Sequence, residues 1–257
     1  MENRNQSHYR RFANIAAFIA VVIVNGLAGA TSIIGGRNTA QVSNSFPTLI
    51  TPAGYVFSIW GIIYILLGVF VVYQALPSQQ GKIFQSKIGW LFVLISMANV
   101  VWLFLWQLDF LIFTVPVMFL LLASLILIYI RLGIGKANAP PIEKLAVYVP
   151  FSVYLGWITI ASTANVATTL VSLNWGGFGL SAETWATLIV IMVLIITTLV
   201  IATRKDIAYT LVIIWALVGI GFNHSSNQAI FYLTEIGALI VIMLLSAWIL
   251  VTKLKKK

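Results

Sequence analysis

Eight apolar stretches, most of them long enough to cross a bilayer, leave this chain few residues with which to build anything else. They fall near 13–35, 52–76, 88–107, 109–132, 147–172, 184–203, 207–222 and 229–252. Gly35-Gly36, Pro77, Gln107-Leu108-Asp109, Pro140-Pro141 and Gly176-Gly177 separate them, residues that end or redirect helices. With 61% hydrophobic and 8% charged residues, the chain lies far from the roughly one quarter charged residues of a soluble domain. The expected fold is all-α, a polytopic transmembrane bundle of about eight spans. Residues 1–175 would form a five-helix region and 176–257 three further helices, in one continuous membrane domain. The seventh stretch is short, and a re-entrant segment is the alternative there.

Charge tests the count. Eight alternating spans put Arg4, Arg10, Arg11, Lys82, Lys87, Arg131, Lys136, Lys144, Arg204, Lys205, Lys253, Lys255, Lys256 and Lys257 on one side, with Arg37 opposite. That bias places both termini in the cytoplasm of a multi-pass cell-membrane protein. Topology and anionic lipid account for the net charge of +9, so nucleic acid is not an expected partner. Arg10-Arg11, an apolar run and Ala28-Gly29-Ala30 also resemble a cleavable leader ending before Thr31. Retention is the expectation, because the apolar run continues and the charge alternation needs this helix.

The inventory of reactive groups is thin. Cysteine is absent, and the two histidines, His8 and His224, fall on opposite sides, so neither a thiolate nor a two-histidine metal site is expected. Phosphate-binding, nucleophile-elbow and zinc-helix motifs are missing. No cofactor, metal or catalytic residue is assigned, and an enzyme is not expected. Glu235 is the one ionisable side chain expected well inside a span, either snorkelling or bonding a neighbouring helix, or serving as a proton or polar site. Asp109, in a tight turn, is expected to cap the following helix.

Three helices carry ordered rows of aromatic and amide side chains: Phe57, Trp60 and Tyr64; Asn99, Trp102 and Trp106; and Trp157, Ala161 and Asn165. Spacings of three and four place each row on one face. Trp90, Trp106, Trp185 and Trp248 fall near helix ends, where an interfacial belt explains them. Trp60 and Trp157 are too deep for that. Packing, with Asn99 and Asn165 as interhelical hydrogen-bond donors and acceptors, and a ligand pocket are both open on periodicity alone.

The segment Pro52-Ala53-Gly54-Tyr55-Val56-Phe57-Ser58-Ile59-Trp60-Gly61-Ile62-Ile63-Tyr64, with Asn99-Val100-Val101-Trp102 and Trp157 through Asn165, resembles the tryptophan-rich sensory protein (TspO), or translocator protein, family. The likeness covers roughly residues 10–175. It implies a five-helix membrane protein binding a porphyrin or another flat hydrophobic ligand between helices, in sensing, transport or breakdown. Trp60 and Trp157 match the family's pocket tryptophans, and Tyr64, Asn99, Trp102, Ala161 and Asn165 match other motif positions. Where the family usually has a second proline and a tryptophan, this chain has Ala53 and Tyr55, with one residue fewer between Phe57 and Trp60. The implied site is therefore Phe57, Trp60, Tyr64, Asn99, Trp102, Trp157, Ala161 and Asn165. Its partners would be a hydrophobic small molecule, membrane lipid and a second copy of the chain. A small secondary transporter using Glu235 is one alternative. A non-catalytic partner or assembly protein, packing through Gly68, Gly156 and Gly219, is another.

Overall fold

The computed structural model describes residues 4–31 and 33–254, and among them all regular structure is helical. The chain runs through α1 (Arg4–Ala30), α2 (Thr39–Ser45), a 3₁₀ turn (Gly54–Ser58), α3 (Ile59–Ala75), α4 (Ile83–Ile88), α5 (Leu91–Gln107) and α6 (Leu111–Leu132). It continues through α7 (Pro141–Ser172), α8 (Ala182–Arg204), α9 (Ile207–Asn223) and α10 (Gln228–Leu254). Eight of these match the eight apolar stretches; α2 and α4 are short additions. Six are long and apolar enough to cross a membrane, and α5 and α9 are shorter apolar helices. At 1.5 Å per residue, the 17 residues of α9 rise about 25 Å. The helix is continuous from Ile207 to Asn223.

Local chemistry sets the boundaries. Gly133 and Lys205 close α6 and α8 in the left-handed conformation. Ser181 and Asp206 accept backbone N–H groups at the starts of α8 and α9. Two boundaries differ from expectation. α1 begins at Arg4 and not near residue 13; Arg10, Arg11 and Asn14 on it are buried, and Asn14 Nδ2 donates to Gln74 Oε1 at 2.8 Å. α7 begins two turns early at Pro141 and passes through a π turn at Lys144–Tyr148. Pro150 has no N–H to offer the carbonyl of Ala146, and the wider π ring accommodates that gap. Asp109 is also not a cap: it sits at φ +59 and forms an ion pair with Arg37, while Phe110 precedes α6 without a side-chain cap bond.

α7 is the hub. In its most apolar stretch 78% of residues are buried inside the protein, against 17–39% for the other long spans. It packs against α6, α9, α3 and, more lightly, α8. The close approaches use the glycines expected to face another subunit, which are spent within the chain. A Cβ on Gly156 would lie 3.0 Å from the Tyr209 carbonyl oxygen, one on Gly219 would strike Val56 Cγ2 at 2.1 Å, and Gly68 faces Phe18.

Contacts between loops sort the molecule into two ends. At one, Lys87 Nζ reaches the Leu132 carbonyl, Arg204 reaches the Ile134 carbonyl and covers the Tyr129 ring, and Asp206 accepts from Ser152. At the other, Arg37 pairs with Asp109, and Asn223 and His224 bond the Thr51 carbonyl. Lys87 and Arg204 thus lie at one end of the bundle and Arg37 at the other. The tail residues Lys255, Lys256 and Lys257 lie outside the described residues.

Candidate functional site

Trp60 stands at the centre of the site. Its ring is stacked on Tyr64 (5.7 Å between centroids), tilted against Trp102 (6.2 Å) and edge-on to Tyr154 and Trp157 (6.0 Å each). Phe57 meets Trp157 at 5.8 Å, and Trp102 stacks on Trp106 at 5.4 Å. Such offset and edge-on pairs are the favourable geometries for aromatic quadrupoles. Phe57 shares the site despite its short spacing to Trp60 because it lies in the 3₁₀ turn, where residues three apart eclipse. That turn is pinned to α9: Ala53 N donates to the Gly219 carbonyl at 3.0 Å.

Amides and hydroxyls fix the rings. Asn165 Oδ1 accepts from Trp102 Nε1 at 2.9 Å, and Asn165 Nδ2 donates to Thr114 Oγ1 at 2.6 Å and Thr169 Oγ1 at 3.4 Å. Asn99 accepts from Asn25 Nδ2 at 2.7 Å and donates to the Tyr154 hydroxyl at 3.2 Å. Trp157 is different. It is 2% exposed, yet its Nε1–H has no hydrogen-bond partner among the described residues. Tyr64 OH lies beside Asn99 and Tyr154 without a well-formed hydrogen bond. Buried polar groups are normally paired, so two unpaired donors beside one aromatic cluster mark a place where an acceptor is missing.

The site is closed. Phe57, Trp60, Trp102, Trp157, Ala161 and Asn165 surround a cavity of about 30 Å³ with Thr39, Ser43 and Pro52 as its cover, room for a water or two. The cover is α2 and the segment after it. Asn38 and Gln41 form a reciprocal capping box, and Trp106 Nε1 donates to the Thr39 carbonyl at 3.2 Å. All eight sequence-derived site residues come together here: six line the cavity, and Tyr64 and Asn99 stand behind Trp60.

Trp106 needs correction, since it is not an interfacial residue but is 3% exposed, stacked on Trp102 and bonded to the cover. Its i+4 spacing from Trp102 was the available signal. Tyr55, where the family usually has tryptophan, faces away and packs on Trp215 and Phe222 of α9. Glu235 lines neither this cavity nor the larger one beside it. It is half-buried on α10, its carboxylate in the notch left by Gly221 of α9.

That second cavity is much larger, about 760 Å³, between the 47–50 segment, α7 and α8, with His224 among its lining residues. His224 Nε2 donates to the Thr51 carbonyl at 3.1 Å. Burial pushes the ring below the ordinary histidine range, partly offset by the carbonyls of Thr51 and Thr48.

With the tryptophan cluster, the amide network and the eight helices in place, the decisive comparison is that residues 11–250 match the family described as TSPO-like protein. The chain belongs to that family. The match runs past the 10–175 region that carries the motif resemblance and takes in α8, α9 and most of α10. No curated protein and no solved structure gave a significant match. This TSPO-like chain is thus a multi-pass helical membrane protein whose aromatic rows meet at a single point. Among its described residues no cluster of three or more histidine or carboxylate side chains is placed to hold a metal ion.

Proposed function

We propose that this TSPO-like chain binds a hydrophobic planar ligand of tetrapyrrole type at the Trp60 cluster, to sense or handle it, with both termini in the cytoplasm. The observation that carries the reading is the unpaired Trp157 Nε1–H beside a ring assembly. A flat ligand offers a π-face to Trp60 and Trp102 and an acceptor edge to Trp157 and Tyr64. A cavity of about 30 Å³ cannot hold such a ligand, so binding requires α2 and Pro52 to move and the rings to part. Trp106 and Thr39, which join the cover to the cluster, are where that movement starts. No catalytic step is assigned. Titration of the detergent-purified protein with protoporphyrin, followed by tryptophan quenching, tests it. Saturable binding lost in Trp60→Phe/Trp157→Phe supports the pocket; equal affinity in the double variant refutes it.

Glu235 supports a second reading. A half-buried carboxylate in a membrane helix, seated on a glycine and with no hydrogen bond or ion pair among the described residues, suits proton-coupled transport. Proton-coupled uptake abolished by Glu235→Gln at unchanged expression would favour it; uptake insensitive to that change would end it.

A further inference from the structure

The large cavity asks for an occupant of another kind. Its volume of about 760 Å³ lies within the range of roughly 300–1,000 Å³ typical of small-molecule sites. Its walls are mostly aliphatic: Val166, Leu170 and Val171 from α7, Ile189 from α8, and Leu180 between them. The polar groups on it are already engaged within the protein. Trp185 Nε1 donates to the Gly177 carbonyl at 2.9 Å, Thr48 Oγ1 is bonded to Thr51 Oγ1 at 2.9 Å, and His224 is bonded to the Thr51 carbonyl. Nothing here selects for an acceptor edge, in contrast to the Trp60 cluster. What the walls offer is shape and apolar contact.

The mouth tells where the occupant comes from. Val171 and Leu180 on the rim are exposed, and beside them Phe178 is 86% exposed, its ring 5.2 Å from Trp175. Trp175 in turn lies 5.2 Å from Trp185. Aromatic side chains gathered at the end of two spans mark the bilayer interface, so the cavity opens beside lipid at headgroup depth. Water in a hollow with such walls would find few hydrogen-bond partners, whereas a hydrocarbon chain entering sideways buries its surface and the wall's together.

We propose that this cavity is a second binding site, holding an acyl chain of a phospholipid drawn from the surrounding leaflet. The headgroup stays at the Trp175 and Phe178 rim and the chain lies against α7. The site exists because α8 is present: the α7 wall belongs to the five-helix region and the facing wall to the added helices. It is independent of the planar-ligand reading.

The test uses the full-length protein reconstituted with a small fraction of phospholipid brominated on its acyl chains, read as tryptophan quenching. Ala167→Phe, on the α7 wall, and Ala182→Phe, at the start of α8, narrow the cavity from opposite sides; thermal unfolding checks that each variant is folded. The expected result is saturable quenching in the native protein, reduced at least twofold in both variants, with about one phospholipid retained per chain in native mass spectrometry. Equal quenching in native protein and both folded variants would mean general lipid contact and overturn the site. Quenching by brominated free fatty acid but not by the phospholipid would overturn the lipid source. Protoporphyrin titration runs in parallel. Porphyrin binding lost in Ala167→Phe but kept in Trp60→Phe/Trp157→Phe would place the planar ligand in this cavity and overturn both assignments, whereas the opposite pattern supports the two sites separately.

Discussion

The Trp60 cluster and the cavity beside α8 share helix α7, one built on Trp157, Ala161 and Asn165 and the other on Val166, Ala167 and Leu170. The first is filled by its own side chains to about 30 Å³; the second leaves about 760 Å³. Size alone would send a search to the larger. Chemistry points the other way for a planar, acceptor-bearing ligand, because the unpaired donor and the rings are at the smaller. Rings that pack well on one another also pack well on a flat ligand. A closed aromatic site and a well-packed core therefore look alike until unpaired polar atoms are counted.

That contrast can be broken in graded ways. The largest effect is expected from Gly35→Ala, in the loop leading to α2. Gly35 has φ +70, and an added Cβ would lie 2.1 Å from the Gln107 carbonyl oxygen, so backbone must move. A loss of about 3 kcal/mol is expected from the clash and left-handed strain together, read as a fall in thermal unfolding temperature, with faster ligand association because the cover is displaced. An unchanged Tm would show that this loop does not hold the site shut. Next comes Trp60→Phe/Trp157→Phe, which keeps ring packing but removes indole area and the free N–H. About 10–30-fold weaker protoporphyrin binding is expected, roughly 1.4–2 kcal/mol, with helicity intact.

Asn165→Leu probes the polar side of the cluster. It strips Trp102 Nε1 of its acceptor and Thr114 of a donor, at an expected cost of about 1–2 kcal/mol, measured by denaturation in detergent; a smaller change would mean the network is decorative. The smallest effect concerns the large cavity. Because burial lowers the His224 pKa, the unfolded chain binds more protons than the folded one once pH falls below about 6.5. Stability from the neutral ring is full above that pH and declines as pH drops through the unfolded value toward the depressed folded one. His224→Gln should flatten that acid-side decline in Tm between pH 7 and 5, and parallel curves would remove His224 from the argument.

How much of this could be read from the residues follows from range. Eight helices were legible because apolar length and Gly or Pro breaks are local, and a bilayer forces each backbone segment to satisfy its own hydrogen bonds. The three rows of site residues were legible because period 3.6 fixes a helix face. The bracket Asn38–Gln41 is a capping-box signature that announces α2, although nothing in it says that α2 covers Trp60. Trp106 was misread because position along a helix does not reveal which neighbours lie beside it. Tyr55 could be seen to depart from the family pattern, but its partners Trp215 and Phe222 are far off in the chain. The short Phe57 to Trp60 spacing was a discrepancy until the 3₁₀ turn explained it.

The sequence by itself determined the membrane class, the eight long apolar helices and the faces that bear the aromatic rows, since each depends on composition or period within a single span. Tertiary structure decided that the rows converge on Trp60, that Trp157 is left without an acceptor among the described residues, that Gly156 and Gly219 serve contacts inside the chain, and that a large void lies between α7 and α8. Those are properties of gaps and contacts between helices, set by packing over residues far apart in sequence, and no local pattern encodes a space.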